Sequence, residues 1–168
     1  MAALCQYREV STVNSRCGLR VLRILLVDDH LALRRALRRF LASEYPGARF
    51  AEASNGRQAL KLLMAGRWDL VLLDLSLSGP GGLELLRQVR RRRPGTPTLA
   101  LSLQPEHLAG LRSLRSGASG FVPKHSSPEV LGSAMDSVLA GGTYFSRDVE
   151  KLHDGGKVKS RTQASGLL

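Results

Sequence analysis

The stretch Leu70-Val71-Leu72-Leu73-Asp74 constrains this chain more than any other. It is a short run, apolar on both faces, that closes on a carboxylate and opens into a Gly/Ser/Pro-rich loop. Bulky aliphatics on both faces of so short a segment predict a strand covered from above and below, as in the centre of a parallel sheet. Open α/β sheets take their ligands beyond the carboxyl ends of the strands, which is where Asp74 falls. Arg23-Ile24-Leu25-Leu26-Val27, followed by Asp28-Asp29, repeats the form. Two buried strands that both end in acid bring three carboxylates to one rim.

The remaining pattern alternates. Leu31, Leu33, Ala36, Leu37, Phe40 and Leu41 recur at helical spacing, and Tyr45-Pro46-Gly47 stops that helix. Arg49 to Ala53 reads as a second strand. Ser54-Asn55-Gly56 then caps a helix whose Ala59, Leu60, Leu63 and Met64 point inward. After Asp74 the loop Leu75 to Gly82 leads into a helix carrying Leu83, Leu85, Leu86 and Val89, which ends in an arginine block at Pro94-Gly95. Thr98 to Ser102 is a fourth strand, Glu106 to about Ser116 a fourth helix, and Gly120 to Pro123 a short fifth strand with Lys124 directly after it. Ser127-Pro128-Glu129 opens the last helix, with a capping serine and a proline in the first turn. Strands alternating with helices in this way predict a parallel sheet with right-handed crossovers and helices on both faces. Residues 1–20 read as a loose arm, 21–142 as the folded domain, and 143–168 as a linker-like tail.

Size and charge narrow the function. A chain of 168 residues carries one domain with a core of its own. The net charge of +11 favours polyanionic partners. Much of it lies in Arg34-Arg35 with Arg38-Arg39 and in Arg90 to Arg93, which read as solvated helix faces or ends. Cys5 and Cys17 form neither a disulfide framework nor a zinc pattern, so a reducing cytoplasm is the default. No run is long enough to span a membrane, and the first twenty residues lack a signal-peptide core. Without a Gly-rich phosphate loop after the first strand, dinucleotide binding and P-loop hydrolysis are disfavoured.

The rim residues make a coherent chemistry. If strands one, three, four and five are neighbours, their ends collect Asp28, Asp29, Asp74, Ser102 and Lys124. Three clustered carboxylates repel unless a cation lies among them, and a hard divalent ion with oxygen ligands, Mg²⁺, suits the set. Lys124 adds a movable positive charge and Ser102 a hydroxyl donor. A metal, an ammonium and a hydroxyl around one carboxylate is what phosphoryl transfer to that carboxylate requires, with Asp74 as nucleophile. Taken singly, these residues have plainer readings. Asp28-Asp29 would cap a helix, Ser102 would bond to local backbone, and Lys124 would be a surface lysine. Phe121 reads equally as strand packing. His30 and His107 read as exposed helix-start residues.

The segments ILLVDDH (24–30), DLVLLDLSLSG (69–79), GLELLRQVRRR (82–92), LALSL (99–103), GASGFVPK (117–124) and LAGGTYFS (139–146) resemble the receiver domains of two-component response regulators, in particular the LuxR-type (NarL/FixJ) subgroup. The resemblance implies a flavodoxin-like (βα)5 fold, a doubly wound parallel five-stranded sheet in the order 2-1-3-4-5. It implies a signalling phosphoacceptor rather than an enzyme. Asp29 would ligate Mg²⁺ directly, Asp28 would help through water, and Ser76 would offer its backbone carbonyl. Asp74 would take phosphate from a sensor histidine kinase, Ser102 and Lys124 would hold the phosphoryl oxygens, and Phe121 would be the switch aromatic. A homodimer through the fourth helix, fifth strand and fifth helix, or through another receiver face, is the expected partner, with transcription as the controlled process.

Two departures stand out. The loop after Asp74 usually reads Met-Pro-Gly-x-Asp-Gly, whereas here it is Leu77-Ser78-Gly79-Pro80-Gly81-Gly82. The helix-turn-helix domain that follows the receiver in this subgroup has no counterpart before Leu168. DNA contact is therefore expected only through a domain absent from this chain, and direct binding through the arginine runs finds no recognition-helix motif. The altered loop leaves an alternative: a phosphorylation-independent interaction module on a receiver scaffold.

Overall fold

The computed structural model describes residues 21–78 and 81–154. The expected N-terminal arm, loop residues 79 and 80, and the tail from 155 onward lie outside them. The elements are β1 (Arg23–Val27), α1 (Leu31–Glu44), β2 (Arg49–Ala53), α2 (Gly56–Ala65), β3 (Leu70–Asp74), α3 (Gly82–Arg92), β4 (Thr98–Ser102), α4 (Glu106–Arg115), β5 (Gly120–Pro123) and α5 (Pro128–Leu139). The strands form one parallel sheet in the order β2-β1-β3-β4-β5, the flavodoxin-like order that the resemblance implies.

Side chains alternate across each strand, so the sheet divides its apolar residues between two layers. Leu25, Val27, Val71, Leu73 and Ala100 face α2, α3 and α4, whereas Ile24, Leu26, Leu70, Leu72, Leu99 and Leu101 face α1 and α5. All five residues of β3 are buried, as a strand covered on both sides must be. Truncating Leu72 to Ala would cost about 2–5 kcal/mol.

Local signals hold at most element ends. The Asn55 side chain accepts from the Gln58 N–H at 3.0 Å, capping α2. Ser127 stands at the N-cap of α5 but makes no capping bond there. Its hydroxyl donates to Glu129 instead and holds that carboxyl below its usual range. The Tyr45 hydroxyl donates to Asp136 at 2.8 Å, joining the end of α1 to α5. Burial and that carboxylate push the phenol well above its ordinary value.

Three expectations need correction. Arg34 is not on a solvated face: it is one of two buried residues of α1, the other being Leu41. Leu31 and Met64, placed in the apolar stripes by their spacing, are about half exposed, at 49% and 48%. Residues 143–154 begin as part of the fold, not as linker. Tyr144 pairs beside β5, its N–H donating to Ser119 O at 3.0 Å and its carbonyl accepting from Phe121 N–H at 2.8 Å. Residues 147–154 then turn helical and bury Val149 at 1% exposure. Gly110 gives Val149 room, because a Cβ there would press on Val149 and on Glu106.

Candidate functional site

Sheet register builds the site. Val27 pairs with Leu73, so the next residue of each strand, Asp28 and Asp74, leaves the sheet side by side. Ser102 pairs with Pro123, which sets Lys124 at the end of β5 level with the tip of β4. The Lys124 N–H then donates to Ser102 O at 2.8 Å, turning the lysine over the rim. Its Nζ lies 2.8 Å from Asp28 Oδ2 and 2.7 Å from Asp74 Oδ2. Exposure is 6% for the lysine side chain and no more than 2% for either acid, so this is a dry ionic triad. Burial alone would lower the lysine pKa, but its bonds and charge contacts with Asp28 and Asp74 outweigh that and raise it above its ordinary 10.5.

Backbone amides hold the other oxygens. His30 N–H donates to Asp28 Oδ1 at 2.7 Å and Ser76 N–H to Asp74 Oδ1 at 2.8 Å. Asp29 stays at the solvent edge with 32% exposure and accepts from Ser78 N–H at 3.2 Å, which ties the loop after Asp74 to the end of β1. Gly82 closes that loop from the other side. A Cβ at this position would collide with the Asp74 carbonyl and with Leu75 Cα, so the chain can pass there only as glycine.

Asp28, Asp74 and Lys124 are thus brought into contact, with Asp29 beside them. Ser102 is buried at the neighbouring strand end, where its Oγ accepts from Gln104 N–H at 3.0 Å. Phe121 is buried at 1% exposure, one strand further along.

Two contributions escaped the sequence reading. His30 lies with Asp28 and Asp29 so that each offers a ligand atom, all within 4.8 Å. Adjacency to the two acids was the only available signal. Arg34 donates to the Asp28 carbonyl and, at 2.9 Å, to Glu52 Oε2, while Arg38 reaches Glu52 Oε1 at 3.2 Å. This clamp fixes β2 and α1 beneath the site. Its signal was the seven-residue spacing from Arg34 to Leu41, two helical turns on one face.

The carboxylate oxygens of Asp28, Asp29 and Asp74 are of the kind hard divalent cations take, with the His30 imidazole beside the first two. The charges agree: three carboxylates against one ammonium leave about two negative charges, which one divalent ion balances.

A parallel sheet in this order, with a dry Asp–Asp–Lys triad at its carboxyl rim, is consistent with the phosphoacceptor site of a signalling domain. Residues 24–136 match the response regulator receiver domain family, and the chain belongs to that family. It is 33% identical over 129 residues to the response regulator UvrY of Escherichia coli, covering 77% of this chain and 59% of that protein. It is 34% identical over 147 residues to BvgA of Bordetella pertussis, a putative positive transcription regulator of virulence factors, covering 87% and 70%. Among solved structures, a LuxR-family two-component regulator from Aurantimonas superposes with a TM-score of 0.71 at 34% identity, over 83% of this chain and 99% of that one. TrrA of Thermotoga maritima, solved with Mg²⁺ and BeF, gives 0.62 at 30% identity, over 68% and 96%. The chain therefore spans about three-fifths of the length of a curated relative such as UvrY. Among the described residues, no helix is long and apolar enough to cross a membrane.

Proposed function

We propose that Asp74 is a Mg²⁺-dependent phosphoacceptor, charged by a sensor histidine kinase in the cytoplasm, and that its phosphorylation changes partner or dimer contacts in the control of transcription. The observation that carries this reading is Lys124 Nζ, held between two buried carboxylates at 2.8 and 2.7 Å. A buried lysine shared by two acids leaves one negative charge of the pair uncompensated, at the end of the sheet where ligands of such folds arrive.

In the reaction an Asp74 oxygen attacks phosphorus. The bond to the donor imidazole breaks, the imidazole takes a proton, and an acyl phosphate remains on Asp74. Lys124 exchanges its contact with the Asp74 carboxylate for a phosphoryl oxygen, and the Ser102 hydroxyl, whose oxygen accepts from Gln104 N–H, donates its proton to another. Asp29, Asp28, Asp74 and the Ser76 carbonyl are the oxygens we assign to Mg²⁺. When bound, the ion supplies charge neutralisation for the equatorial oxygens. Its support here is the donor chemistry and the charge count, together with the Mg²⁺ in the related TrrA. Phe121, packed near Gly110 at the α4–β5 junction, is the residue we assign to relay the change. The new charge and hydrogen bonds then bias a two-state surface.

Incubation with Mg²⁺ and acetyl phosphate, followed by intact-mass measurement, tests this. Wild type should gain about 80 daltons, one phosphoryl group, and Asp74→Asn or chelated samples should gain none. A folded wild type that gains no mass, or an Asp74→Asn variant that gains as much, overturns the assignment. Partner binding that is equal with and without phosphodonor in a phosphorylated sample would favour the phosphorylation-independent module.

A further inference from the structure

The helices on the two sides of the sheet use their arginines differently. On α1, Arg34 and Arg38 are engaged by Glu52. On α3, Arg90 donates to the Pro94 carbonyl, and Arg93, just beyond the helix, donates to the Leu63 and Met64 carbonyls, closing loops. Between α3 and α4, however, lies an open cleft of about 330 Å³ lined by Leu83, Arg87, Arg112, Arg115 and Ser116. No carboxylate lines it. Arg87 has a long contact with Glu84 at 3.4 Å, which Glu84 shares with Arg91. Arg112 and Arg115 have no side-chain partner among the described residues.

Helix dipoles do not account for these charges. Arginines in the last turn of α4 offset its negative end, but that end is worth only about half an elementary charge. Arg87 and Arg91 less Glu84 leave one positive charge, and Arg112 and Arg115 add two. The surplus is therefore more than two charges on one shallow surface. Helices antiparallel to the strands carry Arg112 and Arg115, in the last turn of α4, away from the Asp74 rim, while Leu83, next to Gly82, is the lining residue that lies nearest to it in the chain.

We infer that this cleft holds the phosphate backbone of nucleic acid. Guanidinium groups present forked donors that match phosphate oxygens. Small-ligand sites bury most of their ligand among a few directed polar groups. This cleft is open to solvent with a leucine on its wall, a shape that suits an extended, repeating anion. The net charge of +11 adds long-range attraction for such a polymer. Contact is to the backbone and not to bases, so binding is independent of sequence and strongly dependent on salt.

The test uses the full chain and a fluorescently labelled duplex of arbitrary sequence, with anisotropy read between about 50 and 200 mM NaCl. Three phosphate contacts predict a log–log salt slope of about −2.7. Arg112→Glu/Arg115→Glu is compared with Arg35→Glu/Arg39→Glu, two exposed arginines of α1, so that both variants change net charge equally. The α4 pair should bind at least tenfold more weakly than the α1 pair, with a slope nearer −1. The neutral pair Arg112→Gln/Arg115→Gln should give an intermediate loss at unchanged melting temperature. Equal weakening by both charge-reversed pairs would reduce the effect to net charge and overturn the site. So would the absence of duplex binding at the lowest salt, or displacement of the duplex by polyglutamate as effective as by unlabelled duplex, which would mark an acidic-protein surface.

Discussion

Two ionic clusters flank Asp28, and they are built on opposite terms. Above it, Lys124 serves Asp28 and Asp74, one cation for two anions, all three side chains within 6% of full burial. Below it, Glu52 serves Arg34 and Arg38, one anion for two cations, with Glu52 at 25% and Arg38 at 57% exposure. Solvent reaches Glu52 and Arg38, though not the buried Arg34, so the charge imbalance of the second cluster is partly screened and its Arg38 pair contributes modestly. The first is dry, where an unbalanced carboxylate is expensive. The difference teaches where a fold stores chemical potential: the lower cluster is a fastener, and the upper one is short of a positive charge that a divalent cation would supply.

The comparison can be broken in order of expected effect. Lys124→Met leaves Asp28 and Asp74 facing each other without a cation and should cost about 3–5 kcal/mol. Millimolar Mg²⁺ should recover part of that loss in urea unfolding. A variant as stable as wild type, or one indifferent to Mg²⁺, would show that the triad is not under electrostatic tension. Arg34→Met removes a buried donor from the Asp28 carbonyl and should cost about 1–3 kcal/mol. A loss as large as that of Lys124→Met would erase the distinction between the clusters. Arg38→Ala, at the exposed end of the clamp, should cost less than about 1 kcal/mol. Its effect should vanish in high salt, whereas that of Lys124→Met should persist.

The smallest effect concerns pH. The Lys124 pKa is raised in the fold above its ordinary 10.5. A raised lysine contributes stability that is fully present below the unfolded value and is lost only as pH climbs through the folded one. The stability difference between wild type and Lys124→Met should therefore be flat from neutrality to about pH 10 and narrow above it. Denaturant melts across that range check this, and a difference that fades below pH 9 would contradict the assigned direction.

The rim was legible in the sequence because each of its residues ends a strand. A short run that is apolar on both faces and closes on a polar residue fixes where a strand stops, and once these strands are neighbours, parallel register aligns the stops of β1, β3, β4 and β5. The triad of Asp28, Asp74 and Lys124 follows from that arithmetic. The burial of Arg34 was harder to read, since arginine on a helix is usually solvated and only its spacing from Leu41 said otherwise. The seat of Val149 had no local signal at all. It depends on the missing side chain of Gly110, on another helix, where a Cβ would press on Val149. The α3–α4 cleft is similar: a run of arginines says nothing about which of them find partners.

What the amino-acid order determined by itself was the alternation of strands and helices, the two apolar layers, and the identity of the acids and the lysine at the strand ends. These depend on backbone periodicity and side-chain polarity, which are properties of neighbours along the chain. Only the tertiary structure decided which charges are satisfied. Lys124 is committed to two acids, Arg34 is taken by Glu52, and Arg112 and Arg115 are left open. The reason is physical: pairing and desolvation depend on distance in space, and those distances exist only once the layers have closed on the sheet.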